Sequence, residues 1–178
     1  MTKRPPVIAI VLTLWLAVPP LAWGRDFALY PVGKPEIVHG LEVGAVYFQP
    51  IDLQGAMMHA SAGTDIHLEA DVHAAGDDAD GYAEGEWRPY LTVTYRLTRT
   101  DTGQTLAGAL MPLVAYGGSG GGNGKPHYGD NLKLMGMGRY RLELTVAPPP
   151  GQSDIGGFQP FTVERSFVFA GIGKKGAY

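Results

Sequence analysis

Nine consecutive residues in the middle of this chain, Asp65-Ile66-His67-Leu68-Glu69-Ala70-Asp71-Val72-His73, alternate strictly between ionisable and apolar. Side chains along a strand point to opposite faces in turn. Ile66, Leu68, Ala70 and Val72 therefore share one side, and Asp65, His67, Glu69, Asp71 and His73 share the other. The apolar side can join the core of a sandwich. The other side carries two imidazoles and three carboxylates, where a merely solvated face would more usually mix Thr, Ser, Lys and Arg. Same-face neighbours stand about 6.5–7 Å apart, so a cation lying between two of them is within reach of both. Imidazole and carboxylate together suit copper, zinc, iron or manganese. A single His and Glu two apart would also pass as ordinary polar surface; the five-residue stripe is what raises the metal reading.

The residues before this strand divide into a leader and the start of a domain. Lys3 and Arg4 precede an apolar run from Val7 to Val18, which Pro19 and Pro20 end. Ala22-Trp23-Gly24 then puts small residues at the two positions a signal peptidase reads. This order predicts a signal peptide over 1–24 and a single domain over 25–178, exported to the periplasm. The apolar run is short for spanning a bilayer. Without Lys3 and Arg4, the 14 basic residues become 12 against 17 acidic ones, a net charge of −5 for the remainder. With no basic patch, neither nucleic acid nor an acidic membrane surface is an expected partner. The chain has no Cys, which excludes disulfides, thiolate metal sites and thiol catalysis. A domain of this size can hold itself by packing alone.

Asp26 to Val38 reads as an extended arm, and Leu41 to Phe48 as a strand. Met57, Met58 and His59 lie in a loop; thioether beside imidazole suits copper, although paired Met residues also serve as packing. Ala74 to Gly85 carries Asp77, Asp78, Asp80 and Glu84 without the spacing of an EF-hand, and reads as a solvated turn. Tyr90 to Leu97 and Leu106 to Tyr116 are further strands, the second interrupted by Pro112 and so expected at an edge or a bulge. Gly117 to Gly129 is glycine-rich but lacks a phosphate-binding pattern. It leads into Lys125-Pro126-His127-Tyr128-Gly129-Asp130, which places His127 at the end of a flexible loop as the best third ligand. Arg139 to Val146 and Phe161 to Ala170 are strands separated by a Pro/Gly linker. About six strands with no helical period predict an antiparallel sandwich.

Nothing in the sequence builds an enzyme. Ser61, Ser119, Ser153 and Ser166 are the only serines, and none lies in a G-x-S-x-G elbow. Glu69 and Asp71 share a face at a spacing that sequence cannot relate to a sugar bond. A metal-bound water could make an enzyme of the same ligands, but no substrate cleft is evident. The residues point to an exported metal-binding domain. The alternative is a structural or protein-interaction module with a degenerate metal site.

Several segments carry a resemblance. Gly44 to Pro50, Ala62 to Ala74, Gly85 to Leu91, Leu110 to Val114, Pro126 to Asn131 and Ala170 to Tyr178 resemble the periplasmic iron-transport-associated family of P19-like and treponemal 34-kilodalton antigen-like proteins. The I-H-L-E-A-D-x-H-A run and the G-I-G-K-K-G tail are its most specific parts. The resemblance implies a homodimeric immunoglobulin-like β-sandwich that binds copper, with iron or manganese as alternatives, and assists an inner-membrane iron permease. It implies His67, Glu69 and His127 as metal ligands. The family's ligand Met aligns with Leu113, leaving Met111 two residues away as the candidate thioether. A His that the family carries between its last two strands has no counterpart in Pro148 to Pro160.

Overall fold

Alternation recurs along the chain, and each run of it forms a strand. The computed structural model describes residues 28–52, 60–76, 81–113, 125–149 and 158–172. These form nine strands: β1 (Tyr30–Pro31), β2 (Glu36–Val38), β3 (Leu41–Phe48), β4 (Ile66–Ala74), β5 (Thr92–Arg99), β6 (Thr105–Leu113), β7 (His127–Leu132), β8 (Gly138–Ala147) and β9 (Phe161–Phe169). No helix occurs among the described residues. Every strand pairing is antiparallel. The leader, the Met57-Met58-His59 segment, Asp77 to Asp80, and the glycine-rich stretch up to Gly124 lie outside the described residues.

The strands run in the order β1-β3-β4-β7-β6-β5-β8-β9, with β2 also on β3. They divide into two sheets that share β6. Its residues Thr105 to Leu110 pair with β5, and Met111 to Leu113 pair with β7. The apolar face of β4 points into the space between the sheets, where Ile66, Leu68, Ala70 and Val72 are fully buried. Tyr140, Leu142, Leu144 and Val146 of β8 are buried in the same cluster. Tyr47 of β3 meets Phe167 and Phe169 of β9 with ring centroids 5.3 and 6.1 Å apart, which packs one sheet on the other. Each such side chain contributes roughly 1.5–3 kcal/mol on burial, so this core can hold without a disulfide. The fold is an all-β antiparallel sandwich.

Pro112 stands at a local edge, as expected, because it pairs with Tyr128 of β7 on one side only. The proline falls in the part of β6 that β5 no longer pairs, where a missing N–H is tolerated. His127 is not the tip of a loop. It opens β7, a strand buried along its whole length between β4 and β6. The arm before β3 is not free either, since parts of it pair with β3 as β1 and β2.

Candidate metal centre

The polar stripe of β4 lies on the outer face of its sheet, away from the sandwich core. The register assembles the site around it. Phe48 of β3 and Asn131 of β7 flank His67; Val46 and Gly129 flank Glu69. Met111 and Leu113 of β6 lie opposite Gly129 and His127. Paired residues share a face, so His67, Glu69, Gly129, His127, Asn131, Met111 and Leu113 all belong to this one. Although it is an outer face, it is closed here: His67 is 0%, Glu69 1% and His127 3% exposed. The Phe48 ring lies tilted against that of His67, with centroids 5.0 Å apart.

One ligand atom from each of His67, Glu69 and His127 lies within 4.8 Å of the others. The chain fixes which atoms these are. Ile51 holds the Asn131 amide at both ends, its N–H donating to Oδ1 (3.1 Å) and its carbonyl accepting from Nδ2 (2.7 Å). Oδ1 therefore faces His67 Nδ1, 3.1 Å away, and must accept its proton. His127 Nδ1 lies 2.8 Å from the Lys125 carbonyl, which can only accept. In both rings Nδ1 is thus the N–H and Nε2 carries the lone pair, the arrangement that prepares a histidine for a metal.

The inward atoms are two imidazole nitrogens and a carboxyl group. His67 Nε2, His127 Nε2 and both Glu69 carboxylate oxygens are inaccessible to water and make no hydrogen bond. Glu69 Oε1 lies 3.0 Å from His127 Nε2, close enough for a bond but not aligned as one. Gly129 makes the room. A Cβ on it would lie 2.6 Å from His67 Nε2 and 3.1 Å from the Leu68 carbonyl. The His67 ligand nitrogen therefore lies directly over the Gly129 backbone.

Burial without partners perturbs the ionisation of every member. Desolvation lowers His67 to about 4, against its stabilising bond to Asn131, and the neighbouring charge of His127 adds to the fall. Desolvation also holds His127 below its ordinary value. It raises Glu69 to about 8, and the charge of Asp71 adds to this. Each shift disfavours a charge that has no counter-charge in a dry site. A bound cation would reverse the balance for Glu69 and leave both imidazoles neutral.

The structure thus brings together three of the four expected ligand residues. Met111 stands in the same cross-strand row as Gly129 and Glu69. Asp65, on the same face as His67, does not orient a ligand ring. Its carboxylate instead accepts from Lys133 Nζ and from the Leu134 N–H, each at 2.8 Å. The orienting groups are Asn131 and the Lys125 carbonyl. Sequence reasoning missed Asn131, Gly129 and Ile51, because none is a ligand type; two residues of separation from His127 in a strand was the available signal for Gly129.

Fold and site together define a β-sandwich with a buried centre of two imidazoles and one carboxylate. The chain belongs to the Fe2+ transport protein family, which matches residues 26–166. It is 44% identical over 184 residues to a UPF0423 protein of Brucella abortus (strain 2308), covering 96% of each chain. It is 36% identical over 128 residues to the 34 kDa membrane antigen of Treponema pallidum, covering 69% of this chain and 59% of the antigen. Among solved structures it is similar to a copper-bound variant of FetP from uropathogenic Escherichia coli strain F11. That match has a TM-score of 0.72 and 38% identity, over 82% of this chain and 100% of the other. Copper-reconstituted P19 from Campylobacter jejuni matches with a TM-score of 0.72 and 36% identity, over 83% and 99% of the two chains.

Proposed function

We propose that this protein is a periplasmic metal-binding protein that assists iron uptake, holding a copper ion between His67, Glu69 and His127. The observation that carries the reading is the set of buried ligand atoms, two imidazole nitrogens and a carboxyl group, that face one another without a hydrogen bond. Buried polar atoms are paired almost without exception, and a cation would pair these. Two imidazole nitrogens and one carboxylate oxygen form a donor set for copper, iron or manganese. FetP and P19, whose fold this chain shares, have copper-bound structures. The resemblance puts a ligand thioether at Leu113; Met111, in the same cross-strand row as Gly129 and Glu69, is the thioether we propose in its stead. A cation held there would stabilise the anionic carboxylate and join two neutral imidazoles.

The rest of the reading rests on the family and the leader. Iron transport is the family's description, and FetP was expressed in the periplasm. Together with the basic, apolar, small-residue order of residues 1–24, this supports export. A homodimer working beside an inner-membrane iron permease, with no catalysis of its own, is the assembly we propose. Titration of metal-free protein with copper(II), copper(I), manganese(II) and iron(II) at pH 7.5 tests the core of this. One saturable site is the expected result. No binding tighter than about 10 micromolar for any of these ions, against the sub-micromolar affinities a buried multidentate site supports, would leave a structural or interaction module instead.

A further inference from the structure

His67 is fully buried, with the Phe48 ring 5.0 Å from its own. Burial falls along the stripe from Glu69 towards His73. His67 and Glu69 are buried, whereas Asp71 and His73 are half-buried. Two cavities of about 450 and 490 Å³ meet at the outer end. His73, Gly85 and Lys125 line both; Glu42 and Glu84 complete one, Tyr82 and Glu86 the other. Glu42 is the direct cross-strand partner of His73, which puts their Cβ atoms about 5 Å apart. Among the described residues, the lining of the mouth therefore gathers Glu42, Glu84 and Glu86 around one imidazole and Lys125, with Asp71 two residues inward of His73.

Asp71 links mouth to centre. It lies two residues from Glu69 on the same face, and its Oδ1 is inaccessible to water and makes no hydrogen bond. The charges of His73, His127 and Lys125 all act on its carboxyl group, so it is in electrostatic reach of both ends. Inward of it stands Glu69, 1% exposed, with neither oxygen bonded.

Resting on the metal-binding reading above, we propose that His73 and Glu42 form an outer capture point for a divalent cation, and that Asp71 passes the ion to Glu69. The capture point is not a ligand of the buried ion. Along a straight strand His73 lies some 20 Å from His67. Its residues set the rate of exchange in both directions, while the affinity of the inner site is fixed by His67, Glu69 and His127. An acidic mouth of this kind raises the local cation concentration and speeds association by about 10-fold or more, less so in salt.

The test is stopped-flow loading of metal-free, full-length mature protein with copper(II) and, separately, manganese(II), alongside equilibrium titration. Glu42→Lys is the first variant, because Glu42 is exposed and its replacement leaves the core intact; His73→Ala is the second. Both should slow loading and release by about 10-fold with little change in equilibrium affinity, and the wild-type loading rate should fall with added salt. Wild-type protein that binds metal while both variants load at the wild-type rate would overturn the route. Failure of the wild type to bind any ion would defeat the metal-binding reading itself.

Discussion

Replacing Glu69 by Gln should change how the metal-free protein responds to pH. Burial raises the folded-state Glu69 to about 8 from an ordinary 4.5. A raised carboxyl means the folded state keeps its proton longer than the unfolded one, so stability is full below pH 4.5 and is lost as pH rises towards 8. His67 acts in the opposite sense. Lowered to about 4 from 6.5, it resists protonation in the folded state, so stability is lost as pH falls from 6.5 towards 4. His127, also lowered, adds to that loss. Between pH 4.5 and 6.5 the two effects oppose each other. Between 6.5 and 8 the Glu69 effect stands without opposition from the histidines. At about 1.4 kcal/mol per pH unit, that window removes about 2 kcal/mol. For a domain of this size, this is a fall in Tm of about 4–8 °C. Thermal unfolding followed by circular dichroism, in chelator, at half-unit steps from pH 6 to 8.5, measures it. Glu69→Gln has no such proton to lose, and its curve should be much flatter across the window. Parallel slopes for wild type and Glu69→Gln would refute the reasoning, because the buried carboxylate would then be paired by something else.

Other outcomes follow from the same geometry. Gly129→Ala should lose about 1–3 kcal/mol of stability through overpacking and most metal affinity, since its Cβ lands 2.6 Å from His67 Nε2; melting and calorimetry read the two effects separately. Asn131→Leu frees the His67 ring from its fixed tautomer and should weaken metal binding by about 10–100-fold, measured by the same titration. His67→Ala and His127→Ala should each remove most copper(II) binding at pH 7.5, whereas His73→Ala should leave the equilibrium constant nearly unchanged. Wild-type affinity in His67→Ala would end the assignment of the centre.

The sandwich was legible because period-two patterning is local, and a strand that faces a core announces itself in its own residues. β3, β4, β8 and β9 follow their patterns closely. β7 was not legible. His127 to Leu132 is buried on both faces, so the run His-Tyr-Gly-Asp-Asn-Leu shows no alternation, and its glycine and polar residues read as loop. Apart from His127 Nε2, their side chains find partners inside the fold, as when the Tyr128 hydroxyl donates to the Arg88 carbonyl at 2.7 Å and accepts from the Leu91 N–H at 3.0 Å. The same limit governs the site. Its ligands have distinctive chemistry and could be picked out, but the groups that aim them come from residues 51, 125 and 131. Only the pairing of β4 with β7 brings these near residue 67.

The two-sided strand β4 has a consequence for how the chain finds its fold. A slip of one residue against β3 would turn His67, Glu69 and Asp71 into the sandwich interior and expose Ile66, Leu68 and Val72. Placing even one unpaired carboxyl group among Leu142, Leu144 and Val146 costs several kcal/mol, about as much as a domain's whole margin of stability. An all-apolar strand would tolerate the slip far better. The residues that hold the ion therefore also act as a folding checksum. Incorrectly paired hairpins are penalised when the sheets close, and the register that buries the core is the same one that assembles the ligands.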